Sequence, residues 1–259
     1  MILTPQGTIP NRLYVACGAW LWLAAAAAYL VLEALAAARF RADYRYTHHY
    51  ISDLGVTAAG MFDGRWLDSP QAELMNTAFY LQGVLLLSGA ALIVHGSTLP
   101  GAGWFMTLIA AEAVGIILVG TFHSGAADLQ NGTIAFHLMG AVLAVGSGIA
   151  AVLVGSSLLA RHFDTPRWFR PVSIGLVVLS MLSFVMLGVA RLVPAQQFLP
   201  HGLLERCGVY AIFAWPVLTG GWLLSRGRLA PAPVASAFSS RADRSGVPEA
   251  QIGSTVECR

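Results

Sequence analysis

Six stretches of the chain stay apolar for about the 20 residues that a helix needs to cross hydrocarbon about 30 Å thick. They run roughly over 13–38, 75–94, 104–122, 134–159, 172–193 and 207–224. Polar and charged residues gather between them. The pattern predicts an all-α polytopic membrane bundle of six transmembrane helices. The first stretch has signal-peptide features, with Arg12 ahead of it and Ala36-Ala37-Ala38 at its end. Its apolar core exceeds the roughly 7–15 residues of a signal's hydrophobic region, so it reads as an uncleaved span. The chain thus divides into a six-span domain, 1–228, and a tail, 229–259. The tail is polar and carries Pro, Ala and Ser, with too little apolar surface to offset its ordering entropy, and is expected to be disordered.

Composition narrows the class. Hydrophobic residues make up 56% and charged residues 11% of the 259, where soluble domains carry about a quarter charged. All 15 basic residues are Arg. They form no basic face interleaved with aromatics, so no nucleic-acid partner is expected. No Rossmann, Walker, zinc-ribbon or C-x-x-C pattern occurs. Cys17, Cys207 and Cys258 fall at different depths or in the tail, too far apart for a structural disulfide. Membrane lipids are the expected partners, with a hydrophobic small molecule as a further ligand. The expected location is the cell membrane, as a multi-pass protein of a prokaryotic plasma membrane.

Basic residues orient the spans. With a cytoplasmic N-terminus, the inner segments hold nine Arg and the outer segments six. The outer ones are interleaved with Asp43, Asp53, Asp63, Asp68, Glu73 and Glu205. The inner loop from Arg161 to Arg170 is the strongest signal. Both termini are therefore expected in the cytoplasm.

On that topology the distinctive polar residues collect at the outer face. The first outer loop carries Tyr44 to Gly55, including His48, His49, Ser52 and Asp53. The second runs from Phe122 to Gly132, with His123 and Asp128, and His137 opens the next span. The third includes His201, Glu205 and Arg206. Five of the seven histidines lie on this side.

Tyr46-Thr47-His48-His49-Tyr50-Ile51-Ser52-Asp53-Leu54-Gly55 is followed by Met75-Asn76 opening a span. Gly120-Thr121-Phe122-His123 closes another, and a histidine opens the next. This series resembles the family catalogued as domain of unknown function 998, multi-span membrane proteins of bacteria and archaea. The resemblance covers about Leu13 to Leu224. It implies a six-span fold and brings no activity with it.

The candidate residues therefore rest on their own chemistry. His48, His49 and Asp53 combine imidazole and carboxylate, which suits a metal or an acid–base pair; the alternative is a loop in which Asp53 and Ser52 bond backbone. His123, Asp128 and His137 sit on one helical hairpin and form the candidate metal set, against a reading as half-wet histidines at span ends. His201 and Glu205, four residues apart, share a helix face. Arg206 is placed to pair with Glu205 or bind lipid phosphate. Glu33 and Glu112 are carboxyls inside spans, where ionisable groups are costly and are candidates for function. Gln82 and Ser88 are possible partners for Glu112. Gly115, Gly120, Gly140, Gly146 and Gly148 read as close-packing positions.

Two classes of function stay open. In the first, a membrane enzyme acts on a lipid or hydrophobic substrate, with His123, His201, Glu205 and Asp53 as catalytic candidates. In the second, a non-enzymatic protein binds, carries or senses a lipid or small molecule, or assists assembly. Both place a polar pocket at the outer face, lined by Asp53, His123, His137, His201 and Glu205, with Glu33 and Arg191 nearby. No cofactor follows from the sequence; a divalent metal is the one candidate.

Overall fold

A computed structural model describes residues 11–41, 43–97, 99–193 and 199–229, with residues 227–229 described by backbone alone. The expected tail lies outside the described residues, as does Cys258. Six helices are long and apolar enough to cross a membrane. They are α1 (Arg12–Ala38), α2 (Ala72–Ser97), α3 (Gly103–Thr121), α5 (Ile134–His162), α6 (Phe169–Leu192) and α7 (His201–Leu229). A short helix, α4 (Ala126–Asn131), lies between α3 and α5. The protein is a multi-pass integral membrane protein, as the apolar runs predict.

Local chemistry sets the ends of these helices. The Asn11 side chain caps α1 by accepting from the Leu13 amide at 3.2 Å, satisfying one of the free amides of a first turn. Asp128 in the first turn of α4 accepts from the Gly125 amide at 3.2 Å, and α4 ends at Gly132, whose φ of 81° is left-handed. α7 begins at His201, six residues before the apolar run expected to start at Cys207. Glu205 and Arg206 make the sequence look interfacial, yet both lie within the helix.

The spanning helices close into a ring. α1 packs on α2, α2 on α3, α3 on α5, α5 on α6, α6 on α7, and α7 back on α1. Gly115 of α3 and Gly140 of α5 allow one of the tighter seams: a Cβ on Gly115 would lie 2.6 Å from the Gly140 carbonyl oxygen. Gly146 is different. Added bulk there would meet nothing, so its expected packing role gives way to an open position. The α5–α6 seam is the thinnest of the six.

One end of the ring carries the long α1–α2 connection, and α4 covers part of the same end. This connection holds a 3-10 turn (Ser52–Gly55) and a hairpin of β1 (Gly60–Phe62) and β2 (Arg65–Leu67), antiparallel with Met61 opposite Trp66. Its two-residue turn is Asp63-Gly64, with φ of 50° and 73°. An Asp-Gly pair favours this mirror-image turn because both residues tolerate positive φ.

Candidate functional site

The loop-rich end is built around a buried segment, Tyr50 to Gly55. Its backbone groups are met by side chains from distant elements. The Tyr50 amide donates to Asp53 Oδ2 at 2.9 Å. The Ile51 amide donates to the Glu205 carboxyl of α7. Ser69 donates to the Leu54 carbonyl at 2.7 Å, and Asn76 of α2 donates to the Gly55 carbonyl at 3.0 Å. A Cβ on Gly55 would lie 2.4 Å from Asn76 Oδ1, so a larger residue there would have to displace the Asn76 side chain.

Asp53 is 1% exposed and pairs with Arg65 of β2, Oδ2 to Nε at 3.0 Å. Burial alone would lower the Arg65 pKa, but Asp53, together with Asp63 and Tyr50, offsets it and the net shift is upward. Arg65 in turn lies over the Tyr50 ring, 4.6 Å from its centroid, and Arg191 of α6 lies over the same ring at 5.0 Å. Arg191 Nε donates to the Tyr50 hydroxyl oxygen at 3.2 Å. Burial raises the Tyr50 pKa, and Arg191 opposes that rise. The group remains a phenol at neutral pH, with its own proton left to donate. Among the described residues Arg191 has no carboxylate partner within salt-bridge distance. His201 stacks on Tyr50 with centroids 6.0 Å apart, and its Nε2 is buried without a hydrogen-bond partner.

Arg206 does not pair with Glu205. Adjacent helix residues point about 100° apart, and Arg206 turns instead to Glu33 of α1, Nη2 to Oε1 at 3.0 Å. Its Nη1 also donates to the carbonyls of Tyr46 and His49, at 2.6 and 2.8 Å. Tyr210 donates to the other Glu33 oxygen. Glu33 is thus enclosed in a polar clasp.

The candidate metal set does not assemble. His137 donates Nδ1–H to the Phe122 carbonyl at 2.7 Å. His123 Nε2 accepts from Asn76 at 3.1 Å. Asp128 is occupied by the Gly125 amide and by Thr133, at 3.2 and 3.1 Å. Among the described residues no group of three or more His, Cys, Asp or Glu is placed to hold a metal ion. The His48–His49–Asp53 idea separates in the same way. His48 is exposed and bonded to Thr47, while buried His49 accepts from the Arg45 amide at 3.1 Å. Burial lowers the His49 pKa, partly offset by Asp53, which suits this acceptor role.

Three cavities meet this region. An open basin of about 720 Å³ at the loop-rich end is bordered by His48, His49, Arg65 and His201. A lateral groove of about 520 Å³ runs between α5 and α6. Arg65, which borders the basin too, lies at its head with Tyr50, Ser52, His137, Arg191 and Glu205, and its walls include Leu138, Val142, Val145, Leu187 and Gly188. An interior cavity of about 90 Å³ reaches Glu112. Of the sequence candidates, His137, Glu205 and Arg191 share the groove. His201 borders the basin, Asp53 braces Arg65, His123 braces α2, and Glu33 is sealed by Arg206. No hydrogen bond joins Glu112 to Gln82 or Ser88, and Gln82 Oε1 is unpartnered. Tyr50, Arg65 and Asn76 were not among the candidates. The Asp63-Gly64 turn signal could have placed Arg65, but nothing local marks Tyr50 as a hub.

No curated protein and no solved structure matches the chain. One family model does, over residues 13–222, and the chain belongs to that family, described as protein of unknown function DUF998.

Proposed function

We propose that the protein binds an amphipathic, lipid-like ligand in the α5–α6 groove, its headgroup at the loop-rich end and its tail between the two helices. The observation that carries this reading is the polarity gradient along the groove. On α6 the lining residues Phe184, Leu187, Gly188 and Arg191 recur at helical spacing, apolar until the last. On α5 the lining runs from Ile134 to Gly146, about 18 Å at 1.5 Å per residue. Val142 at its rim is 75% exposed, so the groove opens sideways, toward acyl chains. A volume of about 520 Å³ falls in the usual range of small-molecule sites, about 300–1,000 Å³.

At the head, Arg191 offers guanidinium donors and Tyr50 a phenol proton, which suit a phosphate or carboxylate oxygen. Catalysis on such a ligand is the second reading. It is favoured by His137, Ser52 and Glu205 sharing the groove head, which brings an imidazole, a hydroxyl and a carboxyl to one place.

The groove can be filled without disturbing the fold, because a Cβ on Gly188 or Gly146 meets nothing within 4 Å. Gly188→Phe is expected to expel lipid that copurifies in nanodiscs, read by native mass spectrometry, while the unfolding midpoint holds. Arg191→Gln should weaken retention about tenfold, the loss of one charge-assisted hydrogen bond. Unchanged bound lipid in Gly188→Phe would refute the groove; turnover of the retained lipid would favour the enzyme.

The membrane orientation belongs to the same proposal. The loop-rich end faces out of the cell and both termini face the cytoplasm, supported by the Arg-rich connection between α5 and α6. Reporter fusions after Arg170 and Arg228 should read as cytoplasmic and one after Asp63 as external. An external signal at Arg228 would invert the assignment.

A further inference from the structure

Glu112 lies nine residues from each end of α3 (112 − 103 and 121 − 112), at mid-depth, and is 4% exposed. No hydrogen bond or ion pair joins it to a described residue. An ionised carboxyl so placed carries a large desolvation cost, and neutralisation is the usual outcome. The neutral acid keeps an O–H donor, and that donor also needs an acceptor.

The surroundings leave space for one. The carboxyl packs on Gly148 of α5, where a Cβ would sit 3.1 Å from its Cδ and Oε1. It also borders the interior cavity of about 90 Å³, enough for about three waters at roughly 30 Å³ each. The cavity walls are mainly apolar, with polar groups at the end toward the loops: Ser52, His137 and Glu205. Those three residues, with Ala141, Val145 and Phe184, line the lateral groove as well. The interior cavity and the groove head are therefore neighbours across one shared layer of side chains. His137 donates through Nδ1 to a backbone carbonyl, which leaves Nε2 as the ring atom able to accept a proton.

We infer that Glu112 is a proton-binding site, loaded from the loop-rich end by water in this cavity past His137 and Glu205. One proton enters from bulk water, passes through the shared layer, and converts the Glu112 carboxylate to the acid; release reverses the path, with no redox change. The titratable groups facing the cavity are Tyr29 of α1, His137 of α5 and Glu205 of α7. α2 and α6 contribute Phe79 and Phe184. The inference does not depend on what occupies the groove.

Infrared difference spectroscopy of the full chain in nanodiscs tests it. The wild type should show the carbonyl stretch of a protonated carboxyl that is missing in Glu112→Gln. Transfer to D2O should shift that band within minutes, and Ala141→Phe, which narrows the shared layer, should slow the shift at least tenfold. Val145→Phe is the second plug should the first fail to fold. Labelling by a hydrophobic carbodiimide gives an independent readout. The reagent adds to the carboxylic acid and rearranges to a stable N-acylurea, so Glu112 should be modified faster at lower pH. A band that ignores D2O for hours would mark a sealed structural acid and overturn the inference. So would rapid exchange in both plugged variants, which would place the route elsewhere.

Discussion

Arg206→Met should destabilise the folded protein by about 3–5 kcal/mol, the range seen when one partner of a buried ion pair is removed. The Arg206 side chain is 8% exposed and that of Glu33 is 2% exposed, so solvent does little to soften the loss. Methionine fills much of the same volume but leaves the Glu33 carboxyl facing only Tyr210. It also strips the donor from the Tyr46, His49 and Gly202 carbonyls. The first two link the first loop to α7, and Gly202 sits so close to that loop that a Cβ there would fall 2.2 Å from the His49 carbonyl oxygen. Arg206→Lys should recover only part of the loss. An ammonium has three donors on one point, whereas the guanidinium reaches Glu33, Tyr44 and three carbonyls in a fixed fork. The double variant Glu33→Leu, Arg206→Met should be more stable than Arg206→Met alone, since the stranded carboxyl is gone. Thermal unfolding in a mild detergent reads all four proteins. A single variant as stable as the wild type would show that the clasp contributes nothing.

That clasp also marks where sequence reasoning reaches its limit. The six spans are legible because each needs only a local run of apolar residues. That the polar groups gather toward one end of the bundle is legible for the same reason. Partnership is not local. Arg206 and Glu33 are 173 residues apart, and Ile51 and Glu205 are 154 apart; their meeting depends on the ring closing with a particular rotation of each helix. Local reading favours the sequence neighbour instead, which is why Glu205 looked like the partner of Arg206. The His123, Asp128 and His137 set fails for a related reason. Proximity on one hairpin is readable, but backbone amides and carbonyls at helix ends compete for the same side chains. Asp128 becomes a cap and His137 a donor to Phe122. The β-hairpin was missed: Asp63-Gly64 is a turn signal, but short strands beside long apolar runs carry little signal of their own.

Asp53 gives the test of whether the most distinctive motif, Ile51 to Gly55, acts by structure or by chemistry. Its Oδ2 accepts from both the Tyr50 amide and Arg65 Nε, and its Oδ1 meets Arg65 Nη2 at 3.4 Å. Arg65 has a second acid in Asp63, but that side chain is 53% exposed and an exposed pair contributes at most about 1 kcal/mol. Asp53→Ala therefore strands a buried amide and unbalances a largely buried guanidinium, with an expected loss of roughly 3 kcal/mol. Asp53→Asn keeps an acceptor for the Tyr50 amide and removes only the charge, so it should lose less. Adding Arg65→Gln to Asp53→Asn should restore part of that smaller loss, because neither side then carries an unpaired charge. Tyr50 carries the effect onward. Arg65 and Arg191 lie over its ring, so ligand retention in the groove should fall in proportion to the stability lost across the series. Asp53→Asn with an unfolding midpoint equal to wild type but no retained ligand would break that proportionality. It would move Asp53 from a brace behind the groove to a group acting on the ligand itself.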